Sequence, residues 1–336
     1  MKKHFIHKNC NEVTIMTTTK KANDYTDYRI PGIVATEAGT LLRYCECRRS
    51  QGDWADIDIK VWRSEDLGET WEPVLTVESG GNTMNNPVML VNGKTLIFLY
   101  CKNYRELWKC ISTDDGKSFE KAERVPFEAD VHFFYNVVAV GPGHGILHHG
   151  RLLVPAWFAC DREDPKSHHP SIISTLYSDD GGMSWHLGEV IYPETLINPS
   201  ECALAVTDED EILISIRHEG EPRRRALAKS ADGIGGWKEL CFASTLADPV
   251  CMGSMTHRDG TVYHINCDSE SKRRNLTVKL SRDGFATCHA LPVSESAGYS
   301  DLALIGDELF LFYEKINAAG RFELCFERKK VPSIGV

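Results

Sequence analysis

The chain has 336 residues, of which 42% are hydrophobic and 26% are charged, and its formal net charge is −10. These proportions are ordinary for a soluble globular protein. They argue against a nucleic-acid partner, because neutralising phosphates requires a basic face.

The N-terminal segment begins with two lysines, and polar and charged positions then interrupt any apolar run of the kind a secretory signal needs. The longest apolar run, residues 152–160, is too short to span a bilayer and contains Pro155. The 12 cysteines are scattered along the chain, which favours reduced thiols over a disulfide framework. We therefore expect a cytoplasmic protein that does not bind a membrane.

A sequence pattern, S-x-D-x-G-x-x-[W/F], recurs along the chain. Three copies begin at Ser64, Ser112 and Ser178. Two diverged copies begin at Ser230 and Ser281, so successive copies are 48, 66, 52 and 51 residues apart. Each copy follows a short apolar or alternating run, which predicts a hairpin turn. Ser and Asp can cap backbone N–H groups there, Gly accepts a positive φ, and the aromatic side chain anchors the turn.

The length of the repeat predicts the fold. A unit of roughly 50 residues that carries several strands has the size of a propeller blade. Five marked blades and a sixth built from the C-terminus, with an N-terminal strand as a candidate addition, predict an all-β, six-bladed β-propeller. The 66-residue step is longer than the others, and its additional residues lie near positions 160–170, where the sequence predicts a polar loop. No linker divides residues 1–336, so we predict a single domain.

The repeats resemble the Asp boxes of the sialidase (neuraminidase) superfamily, and residues 25–325 contain, in family order, segments that resemble its catalytic set. Asp boxes alone also occur in propellers without this activity. The ordered set implies a retaining exo-α-sialidase that acts on sialylated oligosaccharides or glycoconjugates through a tyrosyl-linked intermediate, without a cofactor. The resemblance assigns the nucleophile Tyr299, its general base Glu201, the acid/base Asp53, the carboxylate-binding arginines Arg29, Arg217 and Arg273, and Glu314 as the partner of Arg29. Arg48 and Arg49, which precede Asp53, are candidates for a further substrate contact, and we select Arg48.

The chemistry explains why such residues would be needed. A guanidinium offers a permanently charged, planar fork of donors that matches a carboxylate. An anionic nucleophile about 4 Å from the substrate carboxylate would suffer a repulsion of roughly 4 kcal/mol at an effective dielectric constant near 20. A neutral tyrosine avoids this repulsion. Because a free phenol has a pKa near 10, it needs a base within hydrogen-bond reach.

Several assignments have alternatives. Asp56 and Asp58 compete with Asp53 for the role of the acid. Arg274 competes with Arg273, and alternation along a strand lets only one of them face the centre. The segment 141–145 is glycine-rich and predicts a bend near the pocket rim, while Arg223, Arg224 and Arg225 indicate a solvated turn.

Two histidine pairs, at residues 148–149 and 168–169, resemble metal-binding pairs. Adjacent side chains diverge on a strand, and no third ligand is evident in the sequence, so we predict no metal site. Two alternative functions remain open. One is a glycosidase for another 2-keto-3-deoxy sugar acid, and the other is a non-catalytic propeller that binds glycans.

Overall fold

The computed structural model describes residues 14–16, 25–126, 133–192, 194–318 and 320–332. Within these ranges the regular secondary structure consists of β-strands, and no helix is long and apolar enough to cross a membrane. The strands are β1 (Thr14–Met16), β2 (Asp27–Ala35), β3 (Leu41–Arg48), β4 (Ile57–Ser64), β5 (Glu72–Val77), β6 (Met84–Asn92), β7 (Thr95–Lys102), β8 (Glu106–Ser112), β9 (Glu123–Val125), β10 (Val137–Val140), β11 (Gly143–His144), β12 (Ile146–His148), β13 (Arg151–Ala159), β14 (Ser171–Ser178), β15 (His186–Leu187), β16 (Cys202–Val206), β17 (Ile212–Ile216), β18 (Arg224–Ser230), β19 (Lys238–Ala247), β20 (Ser254–Arg258), β21 (Thr261–Cys267), β22 (Arg274–Ser281), β23 (His289–Ser296), β24 (Ser300–Ile305), β25 (Glu308–Ile316) and β26 (Phe322–Lys330).

The strands form six mainly antiparallel sheets, which are the blades of a propeller. Blade 1 contains β2 to β5, and blade 2 contains β6 to β9 with β11 paired parallel to β6. Blade 3 contains β10 and β12 to β15, blade 4 contains β16 to β19, and blade 5 contains β20 to β23. Blade 6 contains β24 to β26 and is completed by β1, which pairs with β26. The predicted six-bladed β-propeller and its N-terminal strand are confirmed.

The repeated pattern forms the turn between the third and fourth strands of a blade. In the first copy, Ser64 Oγ accepts a 2.9 Å hydrogen bond from the backbone N–H of Gly68. The carboxylate of Asp66 accepts a 2.9 Å hydrogen bond from the backbone N–H of Thr70. The indole of Trp71 donates to the Gly68 carbonyl at 2.9 Å. These contacts confirm the predicted turn chemistry. They also place the turn at the end of β4 that is remote from the β3–β4 connection.

The core lies between neighbouring blades, because the strands near the axis are buried on both faces. All eight residues of β3 are buried, and so are all five of β17. Most cysteines add to this core: of the eleven that the structure describes, all are unpaired and eight are buried. The expectation of reduced thiols is therefore confirmed for the described residues.

Candidate active site

A cavity of about 220 Å³ opens to solvent where loops from several blades meet. It is lined mostly by polar and charged side chains, together with a wall of aromatic rings. The lining residues are Arg29, Ile30, Arg48, Asp53, Asn86, Tyr104, Trp157, His168, His169, Ser171, Asn198, Ser200, Glu201, Arg217, Glu219, Arg273 and Tyr299.

Three strand ends bring Tyr299, Glu201 and Arg217 together. Glu201 precedes β16, Arg217 follows β17, and the backbone N–H of Arg217 donates to the Glu201 carbonyl at 3.1 Å. Tyr299 precedes β24, and its hydroxyl donates a 2.5 Å hydrogen bond to Glu201 Oε1. Arg217 Nη1 donates to the Tyr299 oxygen at 2.9 Å and also to Glu201 Oε2. A phenol, a carboxylate and a guanidinium thus form one connected group.

The environment keeps the phenol protonated. Tyr299 is only 7% exposed. This burial raises the pKa of Tyr299 well above its usual value, and the neighbouring Glu201 carboxylate raises it further. Arg217 and Arg273 act in the opposite direction on the same pKa, but their effect is smaller. The hydroxyl proton therefore has one acceptor at hand, the carboxylate of Glu201.

Arg29 and Arg273 flank the same tyrosine ring. Their guanidinium carbons lie 5.6 Å and 5.3 Å from the ring centroid. Arg29 Nε donates a 2.6 Å hydrogen bond to Glu314 Oε1, and Glu314 also accepts from the backbone N–H of Tyr299 at 3.0 Å. Glu314 therefore fixes both Arg29 and the backbone of Tyr299. Arg273 lines the cavity, whereas Arg274 begins β22 and is exposed, so the alternation argument selects Arg273.

Asp53 is the acidic side chain of the β3–β4 turn that reaches the cavity. The turn follows Arg48, whose Nη1 donates to Asp53 Oδ1 at 3.0 Å. Asp56 and Asp58 do not line the cavity, because each is paired with Arg49 at 2.8 Å. These two carboxylates hold the turn together, which leaves Asp53 as the candidate acid.

The pKa of Asp53 is lowered by the net effect of opposing influences. Partial burial raises this pKa, and the positive charges of Arg48 and His168 lower it. The side chain of Asp53 is 49% exposed, so the desolvation is incomplete and the cation beside it dominates. Arg48 itself is buried and also donates to Glu46 Oε2 at 2.6 Å. These contacts position Asp53, and because Arg48 also lines the cavity, its contact with a substrate stays a prediction.

The wall formed by Tyr104, Trp157 and His168 was not predicted from the sequence. The His168 ring lies 4.9 Å from the Tyr104 ring and 5.2 Å from the Trp157 ring, measured between centroids. His168 belongs to the polar loop 160–170, which contacts the β3–β4 turn through the Trp54 indole N–H and the Lys166 carbonyl at 3.1 Å. The excess length of the third repeat step indicated this loop, but not its position over the cavity.

The predictions for the arginine run 223–225 and for the position of the glycine-rich segment 141–145 are wrong. The arginine run is not wholly solvated, because Arg225 is completely buried and donates to the carbonyl of Glu201 at 3.3 Å. Arg223 does lie on the surface, paired with Glu221. The glycine-rich segment does not line the active-site cavity. Its Gly143 carbonyl accepts a 2.7 Å hydrogen bond from Tyr44, and His144 lines a separate cavity.

The comparisons with known proteins identify the family. Residues 55–311 match the family described as BNR repeat-like domain. The chain is 30% identical to sialidase-3 of Rattus norvegicus over 309 residues, which cover 81% of this chain and 71% of the relative. The chain belongs to the BNR-repeat sialidase superfamily. The predicted resemblance is thus confirmed.

Two further comparisons describe its relation to other members of the superfamily. A sialidase of Bacteroides fragilis is 28% identical over 346 residues, covering 88% of this chain and 61% of the relative. The solved Hadza microbial sialidase Hz136 superimposes with a TM-score of 0.78 at 24% identity, covering 92% of this chain and 66% of that chain. This chain thus spans less than two thirds of the length of either protein. The similarity to the solved structure supports the propeller fold alone.

Proposed function

We propose that this protein is an exo-α-sialidase that hydrolyses terminal α-linked sialic acid from oligosaccharides or glycoconjugates with retention of configuration. The observation that carries the proposal is the contact of Tyr299 with Glu201 in a cavity that Arg29, Arg217 and Arg273 also line. A non-catalytic glycan-binding protein would need cations for an acidic sugar, but not a buried phenol hydrogen-bonded to a carboxylate.

The arginines would orient the substrate. Sialic acid carries its carboxylate on the anomeric carbon, so binding that carboxylate also positions the carbon that reacts. Arg29 and Arg273 lie on the Tyr299 ring, and Arg217 bonds its oxygen. A carboxylate held among these three guanidiniums would therefore place its anomeric carbon next to the phenol oxygen.

In the first step, Tyr299 Oη would attack the anomeric carbon and release its proton to Glu201. The bond between the anomeric carbon and the leaving oxygen would break, and Asp53 would donate a proton to that oxygen. In the second step, a water molecule would attack the anomeric carbon, and Asp53 would take a proton from that water. The tyrosyl bond would break, and the phenol would recover its proton from Glu201. Two displacements give net retention.

The first experiment measures the release of fluorophore from an aryl α-sialoside by the wild-type protein, beside the corresponding aryl ketoside that lacks the N-acetyl group. Faster turnover of the sialoside supports the proposal. Faster turnover of the second substrate would assign the enzyme to another 2-keto-3-deoxy sugar acid. The absence of turnover of both, with sialic acid binding retained, would leave a glycan-binding protein.

The mechanism needs a separate measurement. Proton NMR of the first-formed product should show the α-anomer, whereas the β-anomer would indicate inversion. A 2,3-difluorinated sialic acid should trap the intermediate, because C2 fluoride leaves readily and the fluorine at C3 disfavours the oxocarbenium-like transition state of the second step. Peptide mass spectrometry should find the added mass on Tyr299, and its occurrence on a carboxylate instead would refute the tyrosyl intermediate.

A further inference from the structure

A cluster of two histidines and one aspartate lies at the end of blades 3 and 4 opposite the active site. His148 ends β12 and His149 lies in the turn to β13, while Asp210 lies in the turn between β16 and β17. Since β17 leads to Arg217 in the cavity at its far end, the turn before β17 lies at the other end of the blade. The cluster therefore contains no residue of the proposed mechanism.

Both imidazole rings contact the carboxylate of Asp210, one at each oxygen. His148 Nε2 lies 2.9 Å from Asp210 Oδ1, and His149 Nε2 lies 2.7 Å from Asp210 Oδ2. All three potential ligand atoms lie within 4.8 Å of one another. Among the residues that the structure describes, this is the one group of three or more His, Cys, Asp or Glu side chains with such a spacing.

The sequence argument against this pair fails for a structural reason. Adjacent side chains diverge on an extended strand, but His149 has a φ of 48° and begins a tight turn with Gly150 at 82°. The two imidazole rings consequently lie side by side, with centroids 4.1 Å apart. The third ligand, Asp210, comes from the neighbouring blade and is 61 residues away from His149 in the chain.

We propose that His148, His149 and Asp210 bind a divalent transition-metal ion of the zinc class. Neutral imidazole nitrogens and a carboxylate oxygen are common ligands of Zn²⁺, which usually takes four ligands in a tetrahedral arrangement. With bonds of about 2.0–2.1 Å, tetrahedral ligand atoms lie about 3.3 Å apart, so the observed N–O distances need to open only slightly. Water would occupy the fourth position.

The position of the cluster suits an ion that arrives from solvent and joins two blades. His148 is 9% exposed in its side chain, whereas His149 is 69% and Asp210 62% exposed. A buried ligand would thus anchor the ion, and two exposed ligands would close on it. Because the metal would bind the folded arrangement and not the unfolded chain, it would raise the melting temperature.

The experiment uses the full chain after removal of metals with a chelator, and ZnCl₂ as the probe. Calorimetric titration should show one ion per chain, and the melting temperature should rise with zinc concentration. His149→Asn and Asp210→Asn should each weaken binding at least about 100-fold, since even loss of an outer hydrogen-bond partner costs 10–100-fold. His149 and Asp210 have positive φ angles of 48° and 61°. Asparagine accepts such angles, so the turns should persist.

Asp208→Asn is the matched control, because Asp208 is exposed in the same turn as Asp210 but lies outside the cluster. It should bind zinc like the wild type. Binding of Co²⁺ should give visible bands of a nitrogen and oxygen site without the near-ultraviolet band of a thiolate ligand. The proposal is overturned if the wild type binds no zinc, if either cluster variant binds as well as the wild type, or if a thiolate band appears.

Discussion

The hydroxyl oxygen of Tyr299 lies 2.5 Å from Glu201 Oε1, although 98 residues separate the two in the chain. The contact joins blade 6 to blade 4 across the centre of the propeller, and Arg217 bonds to both partners. A buried phenol with a raised pKa can become a nucleophile only if a base takes its proton as it attacks. The value of this contact for catalysis can be tested directly.

Tyr299→Phe removes the attacking oxygen and keeps the ring between Arg29 and Arg273. We expect turnover of an aryl sialoside to be nearly abolished, while a dehydrated sialic acid analogue still binds, because the carboxylate-binding arginines remain. Steady-state kinetics and calorimetric binding measure the two properties. Tyr313→Phe is the control, since Tyr313 is a buried tyrosine whose hydroxyl contacts Glu327 and not the cavity. Wild-type turnover by the Tyr299 variant would remove this residue from the mechanism.

Asp53→Asn should lower kcat/KM most for substrates whose leaving group must be protonated as it departs. General acid catalysis contributes typically about 10²- to 10⁴-fold. We expect a loss of that size for a sialyl disaccharide in the first step and a much smaller loss for an aryl sialoside with a good leaving group. Asp56→Asn is the control, because Asp56 pairs with Arg49 outside the cavity. Equal losses for both substrates would indicate that Asp53 does not protonate the leaving group.

The pH profile of the wild type should follow from the lowered pKa of Asp53. As an acid, Asp53 must be protonated, and above its pKa the protonated fraction falls about tenfold for each unit of pH. The kcat/KM for the disaccharide should therefore decline as pH rises, and the profile of Asp53→Asn should lose this limb. If the limb persists in the variant, it belongs to another group.

Arg225→Met should destabilise the fold. Arg225 is fully buried and donates to Asp248 at 3.2 Å, to the Cys251 carbonyl at 2.9 Å and to Ser215. Methionine would leave Asp248 buried without its cation, and removing one partner of a buried pair typically costs about 3–5 kcal/mol in the free energy of unfolding. Denaturant unfolding measures this loss.

The control for this prediction is Arg223→Met in the same run of three arginines. The Arg223 side chain is 33% exposed and pairs with the exposed Glu221, so its replacement should change the free energy of unfolding by less than about 0.5 kcal/mol. Similar losses in the free energy of unfolding for the two variants would show that the buried contacts of Arg225 do not contribute more to stability than those of Arg223.

His168→Ala should weaken substrate binding, because it removes one ring from the wall formed with Tyr104 and Trp157. His168 lines the cavity, and the contact of the Trp54 indole with the Lys166 carbonyl helps to hold its loop in place. Loss of a contact made equally in the ground state and the transition state raises KM with little change in kcat. Steady-state kinetics on the aryl sialoside would show this, and His168→Asn should restore part of the binding. An unchanged KM would place His168 outside the substrate contacts.

Local sequence patterns predicted the blades and many of the cavity residues. The Ser–Asp–Gly turns are local structures, so their chemistry could be read directly from the residues around Ser64. The ordered motifs pointed to Arg29, Asp53 and Tyr299 because each lies within or next to a recognisable segment, and all three line the cavity. The choice of Asp53 over Asp56 and Asp58 needed the structure, since the three lie within six residues of one another at the β3–β4 connection.

The sequence arguments that failed missed partners from distant segments. Arg225 is buried because Asp248 and the Cys251 carbonyl reach it from the connection to blade 5, which a run of three arginines does not indicate. The histidines at 148 and 149 converge because a positive φ breaks strand alternation and Asp210 approaches from another blade. Contacts between blades are fixed by tertiary packing, and a single sequence does not specify them.

At the centre of the propeller, the buried carboxylate of Asp301 joins several blades. It accepts hydrogen bonds from Ser254 Oγ at 2.6 Å and from the Ile33 backbone N–H at 2.9 Å, and it lies 2.8 Å from His144 Nδ1. Burial lowers the pKa of His144, but the charge and hydrogen bond of Asp301 outweigh it, and the net pKa is raised above the usual value. The charged imidazole is therefore favoured in the folded state.

The sign of the pH dependence follows from this raised pKa. The stabilisation is fully present below the unfolded-state pKa of about 6.5, and it is lost as pH rises through the folded-state pKa. We expect the free energy of unfolding of the wild type, measured in denaturant, to decrease between pH 6 and 9 as the contribution of charged His144 is lost. The variant His144→Asn should not show this decrease. His257→Asn provides a contrast, because burial lowers the pKa of His257 and its contribution changes with pH in the opposite direction. Parallel pH curves for the wild type and His144→Asn would show that the contact with Asp301 does not hold the proton.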